Sequence, residues 1–115
     1  MIHSIPEEEV IEQTENSVCL SVKISAESDY FDGHFPEFKI FPAVAQIDLM
    51  AHYAHKYFSL PVSTPRIKRF KFSGMIQPEV EVLFKINFDR EKRKVSFEVL
   101  DSERGSSYSS GIYYV

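Results

Sequence analysis

Tryptophan is absent, cysteine occurs once and glycine only four times in the 115 residues. The lone Cys19 cannot close an internal disulfide, so a fold stapled by disulfides is excluded and a reducing, cytoplasmic setting is expected. As a residue, Cys19 suits a small strand position. No apolar run approaches the roughly 18 residues that span a bilayer, and Glu7, Glu8 and Glu9 stand where a secretory leader needs positive charge. No membrane span is therefore expected. Positive charge is also in deficit: 13 lysines and arginines against 17 acids leave a net charge of −4, which argues against a nucleic-acid partner. Basic residues cluster in RIKRFKF (66–72) and REKRK (90–94), while acids dominate the first thirty residues. Internal repeats, low-complexity segments and linkers are not visible.

What is present is an ordinary globular composition, 43% hydrophobic and 26% charged, with ten phenylalanines and six tyrosines. A chain of this length fits a single domain over residues 1–115 around one core. Residues 17–24, SVCLSVKI, alternate with Val18, Leu20, Val22 and Ile24 on one side, the two-residue period of a half-buried strand. The same period runs through Val80, Val82, Phe84, Ile86 and Phe88, and after a charged DREKRK turn through Val95, Phe97 and Val99, which predicts a long hairpin. Further strands are predicted over 66–72 and at the SSYSSGIYYV end. Pro42 suits a first helical turn, where its missing N–H costs nothing. Val44, Ile47, Met50/Ala51 and Ala54 then mark one stripe of a helix running to about Phe58, before Pro61. One strand, a long loop, one helix and four more strands predict an α+β domain with a helix laid on an antiparallel sheet.

Polar residues are costly to bury without partners, so packing alone would not choose His34 and Asp48 for GHFPEFKIFPAVAQID (33–48). An imidazole with a pKa near 6.5 is a competent base at neutral pH, and a carboxyl group raised by burial is a competent acid. Base and acid together suit an elimination next to a thioester carbonyl. The developing oxygen charge then needs a donor, and the free N–H of Ala43, in the first turn after Pro42, is the natural one.

The segment FDGHFPEFKIFPAVAQIDLM resembles the active-site stretch of the hotdog-fold β-hydroxyacyl-acyl-carrier-protein dehydratases, the FabA and FabZ group. Their pattern runs roughly G-H-F-x-x-x-P-x-x-P-G-x-x-x-x-(D/E)-A-M. Gly33, His34, Phe35, Pro42, Asp48 and Met50 match it, and the fourteen-residue offset from histidine to acid is also the family's. GHFP…FPAVAQID is similar, more closely still, to the dehydratases of aryl-polyene and related lipid pathways. The resemblance is clearest over residues 28–58 and continues weakly through RFKFSGMIQPEVEV. It implies a hotdog fold, a sheet wrapped around one long central helix. It also implies dehydration of a (3R)-hydroxyacyl thioester to the trans-2-enoyl thioester, with His34 as base, Asp48 as acid and Ala43 N–H on the carbonyl oxygen. No cofactor is needed, because the thioester acidifies the proton removed. An acyl carrier protein as partner is implied too, and a homodimer in which each site takes residues from both protomers.

The chain departs from the pattern at Ala43, where the family has glycine, at Lys39 for the first proline, and at Glu79 for the glycine of P-G-D. His52 stands where glutamine is usual. Four residues after Asp48, it shares that helical face, either as a neighbour that tunes the acid or as a partly exposed helix residue. Phe31, Phe35 and Phe41 either line an acyl channel or close the core. Arg66, Lys68, Arg69 and Lys71 either meet an acidic carrier protein or keep a strand edge from aggregating. His3 and His55 read as surface residues. His52 and His55 lack a convincing third ligand, so no metal is expected. The alternatives are a hotdog thioesterase, with Asp48 activating water, and a non-catalytic acyl-thioester binding protein.

Overall fold

A computed structural model describes residues 8–24, 43–60, 67–73 and 80–115. They form β1 (Glu8–Gln13), β2 (Ser17–Ile24), α1 (Ala43–Phe58), β3 (Lys68–Phe72), β4 (Val80–Asp89), β5 (Lys94–Asp101) and β6 (Ser107–Tyr114). All six strands join one sheet in the order β1-β2-β4-β5-β6-β3, and every neighbouring pair runs antiparallel. The expected α+β arrangement is therefore present, with one strand more than the sequence pattern predicts.

That extra strand is β1. Five of its six residues are exposed, so EEVIEQ has no apolar face to betray it. It pairs with β2, with a bulge between Val10 and Glu12.

The alternating residues of β2, β4 and β5 fall on one face, as their period requires: Val18, Leu20, Val22, Val82, Phe84, Ile86, Phe88, Val95, Phe97 and Val99 are all buried. The β4–β5 hairpin closes where DREKRK predicts a turn. There the Asp89 carboxylate accepts the Glu91 and Lys92 N–H groups at 3.1 and 3.2 Å.

Helix α1 lays Leu49, Met50, Ala51, Tyr53, Ala54 and Phe58 into that face. Tyr53 meets Phe84 edge-on with 5.5 Å between ring centroids, and Phe58 tilts against Phe88 at 6.0 Å. The buried surface of α1 is broader than the predicted stripe: Leu49, Tyr53 and the polar Gln46 join it, and Ile47 is only partly buried. A sheet that curls around a helix covers more of its circumference than a flat neighbour would. The helix stops where Ser59 turns into the left-handed region at φ 56° and its N–H bonds the His55 carbonyl at 2.9 Å. His55 is exposed, as expected, yet its Nδ1 also engages the Leu60 carbonyl at 2.8 Å.

Candidate active site

Of the residues singled out in the sequence, Ala43, Asp48 and His52 come together on α1. Ala43 is its first residue. Its N–H is among the first four of the helix, which have no acceptor within it, and the helix dipole favours negative charge there. No acidic side chain of α1 sits in the first turn to compete for those donors.

Asp48 lies five residues further, about 7.5 Å along the axis. The Asp48 carboxylate stands 3.8 Å from His52 Nε2, and both side chains are 36% exposed. The shared face predicted from their spacing is thus real. At 3.8 Å the two are in ion-pair range and beyond direct hydrogen bonding. The burial expected to turn Asp48 into an acid is only partial within one chain.

His34, Gly33, Phe31, Phe35, Phe41 and Arg66 lie outside the described residues. Lys68, Arg69 and Lys71 are exposed on β3, an edge of the sheet among the described strands. A bulge between Lys68 and Lys71 interrupts this strand's pairing with β6, and Arg69 adopts φ 52° within it. Cys19 is a free, half-buried thiol on β2, and burial pushes its pKa up.

The sequence reading passed over a buried polar pair beneath the acid. Gln46 and Ser109 are both fully buried, and the Ser109 hydroxyl donates to Gln46 Oε1 at 2.6 Å. A glutamine inside AVAQIDLM was the only signal available. Four positions along each element, Tyr113 Oη lies 3.7 Å from Met50 Sδ, and burial pushes the Tyr113 hydroxyl up to about 12, so it stays a neutral donor.

Two surface hollows lie elsewhere. One, of about 400 Å³, lies on the sheet face turned away from the helix, around Cys19, Lys85, Asn87 and Glu98. The other, of about 570 Å³, lies by the β4–β5 turn around Asp89 and Arg90. Neither reaches Asp48. Among the described residues no three histidine, cysteine or carboxylate side chains cluster as metal ligands, and no helix is long and apolar enough to cross a membrane.

Comparison with solved structures places this architecture. The dehydratase heterocomplex ApeI:P from Xenorhabdus doucetiae superposes with a TM-score of 0.81 at 30% identity, over 93% of this chain and 94% of that one. An uncharacterized protein from Erwinia carotovora subsp. atroseptica aligns at 0.72 and 24% identity, over 99% and 95%. The dehydratase domain from the CurF module of curacin polyketide synthase shares the fold alone, at 0.65 and 16% identity, over 95% of this chain and 42% of that domain. A six-stranded antiparallel sheet around one helix, on the pattern of these dehydratases, makes this a hotdog-fold protein. Residues 10–112 match the ApeI-like family model, described as ApeI dehydratase, and the chain belongs to that family. No curated protein is significantly similar in sequence. The resemblance read from GHFP…FPAVAQID, including its aryl-polyene leaning, is borne out.

Proposed function

We propose that this chain removes water from a (3R)-hydroxyacyl thioester, carried by an acyl carrier protein or coenzyme A, to give the trans-2-enoyl thioester in fatty-acid or polyketide-like lipid synthesis. What carries the reading is Asp48, a half-exposed carboxyl group on the central helix of a chain that belongs to a dehydratase family.

His34 takes the proton from C2. Charge builds on the thioester oxygen, where the Ala43 N–H and the helix N-terminus meet it. The C3–O bond breaks as Asp48 gives its proton to the departing hydroxyl, so water leaves and C2=C3 forms. Afterwards the proton on His34 must be shed and Asp48 reprotonated, and His52, 3.8 Å away, is placed to assist. Phe31, Phe35 and Phe41 line the acyl channel. Lys68, Arg69 and Lys71, exposed on β3, join Arg66 in steering an acidic carrier protein.

In the resembling family each site draws on two protomers. One solved relative is a heterocomplex, which supports a second protomer that is a copy of this chain or a related chain. We favour the copy.

Purified protein mixed with a 3-hydroxyacyl thioester tests the proposal. Enoyl absorbance that disappears in His34→Ala and in Asp48→Asn is the expected result, and the reverse hydration should show the same losses. Release of free thiol instead would make the protein a thioesterase. Binding without turnover, unchanged by His34→Ala, would make it an acyl-thioester binding protein.

A further inference from the structure

We propose that the buried Gln46–Ser109 hydrogen bond is the positioning device that fixes the rotation of α1, and through it the aim of Asp48. This rests on the dehydratase reading above.

Most of what holds α1 against the sheet is apolar: Leu49, Met50, Ala51, Tyr53, Ala54 and Phe58. Such contacts reward area and are non-directional, so alone they tolerate small rotations and slides of a helix. A hydrogen bond between two fully buried groups does not, because misalignment strands both groups in an apolar layer. Among the described residues only Ser21, Gln46 and Ser109 are buried and polar. Ser21 belongs to the opposite sheet face, where it bonds Glu81. Gln46–Ser109, at 2.6 Å, is thus a pair of fully buried polar residues between helix and sheet, in the N-terminal half of α1; the polar tie at the other end runs from Lys56 and Tyr57 to Glu8 of β1. A leucine facing an alanine would cover the same area without the desolvation cost, so the pair contributes direction rather than burial.

Its location fits that role. Gln46 lies three residues after Ala43 and two before Asp48, in the catalytic half of the helix. At about 100° per residue, Asp48 projects about 200° from Gln46. Anchoring one side of the helix to β6 therefore sets where the other side points. Met50 and Tyr113, four residues along each element, add a weaker tie to the same strand. Proton transfer tolerates errors of only about 0.5 Å and 10–20°, and a carboxylate about 6 Å from the helix axis moves about 2 Å for a 20° turn.

The test compares wild type with the apolar pair Gln46→Leu/Ser109→Ala, which removes both partners and leaves neither stranded. Expected is a kcat lower by about ten- to a hundredfold with KM little changed, and a crystal structure in which α1 has turned or slid against β6. Unchanged kcat with α1 superposing on wild type overturns the proposal. Should the double variant not fold, Ser109→Ala and Ser109→Thr decide: threonine keeps the hydroxyl and should restore kcat, while equal losses in both overturn the proposal. A wild-type chain that makes no enoyl thioester sinks the dehydratase reading alone, since the helix position in the apolar variant still reports on the anchor.

Discussion

Asp48 and Gln46 sit two residues apart on α1 and project from opposite sides of it, one part exposed and the other fully buried. A carboxylate inside AVAQIDLM has no packing reason to be there, so it announces itself as a candidate. Gln46 is just as polar, but its reason is Ser109, sixty-three positions away, and no local period records such a pairing. Asp48→Asn should lower kcat by about 10²–10⁴-fold, the usual worth of a general acid. The side chain is 36% exposed, so stability should change by no more than about 0.5 kcal/mol; enoyl formation and thermal unfolding check the two halves. Gly111 in β6 makes the opposite forecast. A Cβ there would fall 2.8 Å from Ile67 Cγ2 and 3.1 Å from the Phe97 ring. Gly111→Ala should thus cost about 1–3 kcal/mol in denaturant unfolding, with the site residues on α1 untouched.

At the scale of elements, β2, β4 and β5 were legible because each buries one face, and the two-residue period is the direct trace of that. β1 was illegible because a strand with five exposed residues has no such face. Its attachment is polar instead. The Glu8 carboxylate, only 7% exposed, accepts Lys56 Nζ and the Tyr57 hydroxyl, the latter at 2.7 Å, and so ties β1 to the last turns of α1. Burial alone would raise the pKa of Glu8, but the bonds from Lys56 and Tyr57 outweigh it and hold the carboxyl below its ordinary value. A depressed folded-state pKa means that the tie contributes fully above the unfolded value of about 4.3 and is lost as the pH falls through the folded one. Protection of β1 amides against hydrogen exchange, relative to their intrinsic rates, should therefore fall on acidification below about pH 4. Glu8→Gln should show that low protection already at pH 7, with a stability loss of roughly 1–3 kcal/mol.

Across the whole molecule, the order of the other elements, the hotdog fold and, as one of two readings of RIKRFKF, the charged edge at β3 were readable, whereas the other end of the sheet was not, because EEVIEQ has no apolar face. Among the described strands, β1 ends the sheet on one side and β3 on the other, and both carry bulges. Bulges and charge are the usual guards against indiscriminate edge pairing. The edges differ in what they expose. β1 offers Val10 and Ile11 among glutamates. β3 offers Phe72, stacked on Phe70, beside Tyr114, whose ring lies 5.5 Å under Lys68 Nζ; Phe72 and Tyr114 are 40% and 49% exposed. An aromatic patch rimmed by lysine and arginine stems matches the usual make-up of a specific contact better than an acidic strip does. For the two-protomer site proposed above we infer that the sheets meet along β3 at Phe72 and Tyr114, with the Lys68, Arg69 and Lys71 side chains at the rim of the seam, where they still face a carrier protein. Phe72→Glu, which buries a charge in that seam, should elute as a monomer with an unchanged circular dichroism spectrum and lose enoyl formation, because its site lacks the second protomer's residues. Ile11→Glu on the opposite edge should remain dimeric and active. Light scattering on the two variants separates the edges: a dimeric, active Phe72→Glu would move the seam away from β3.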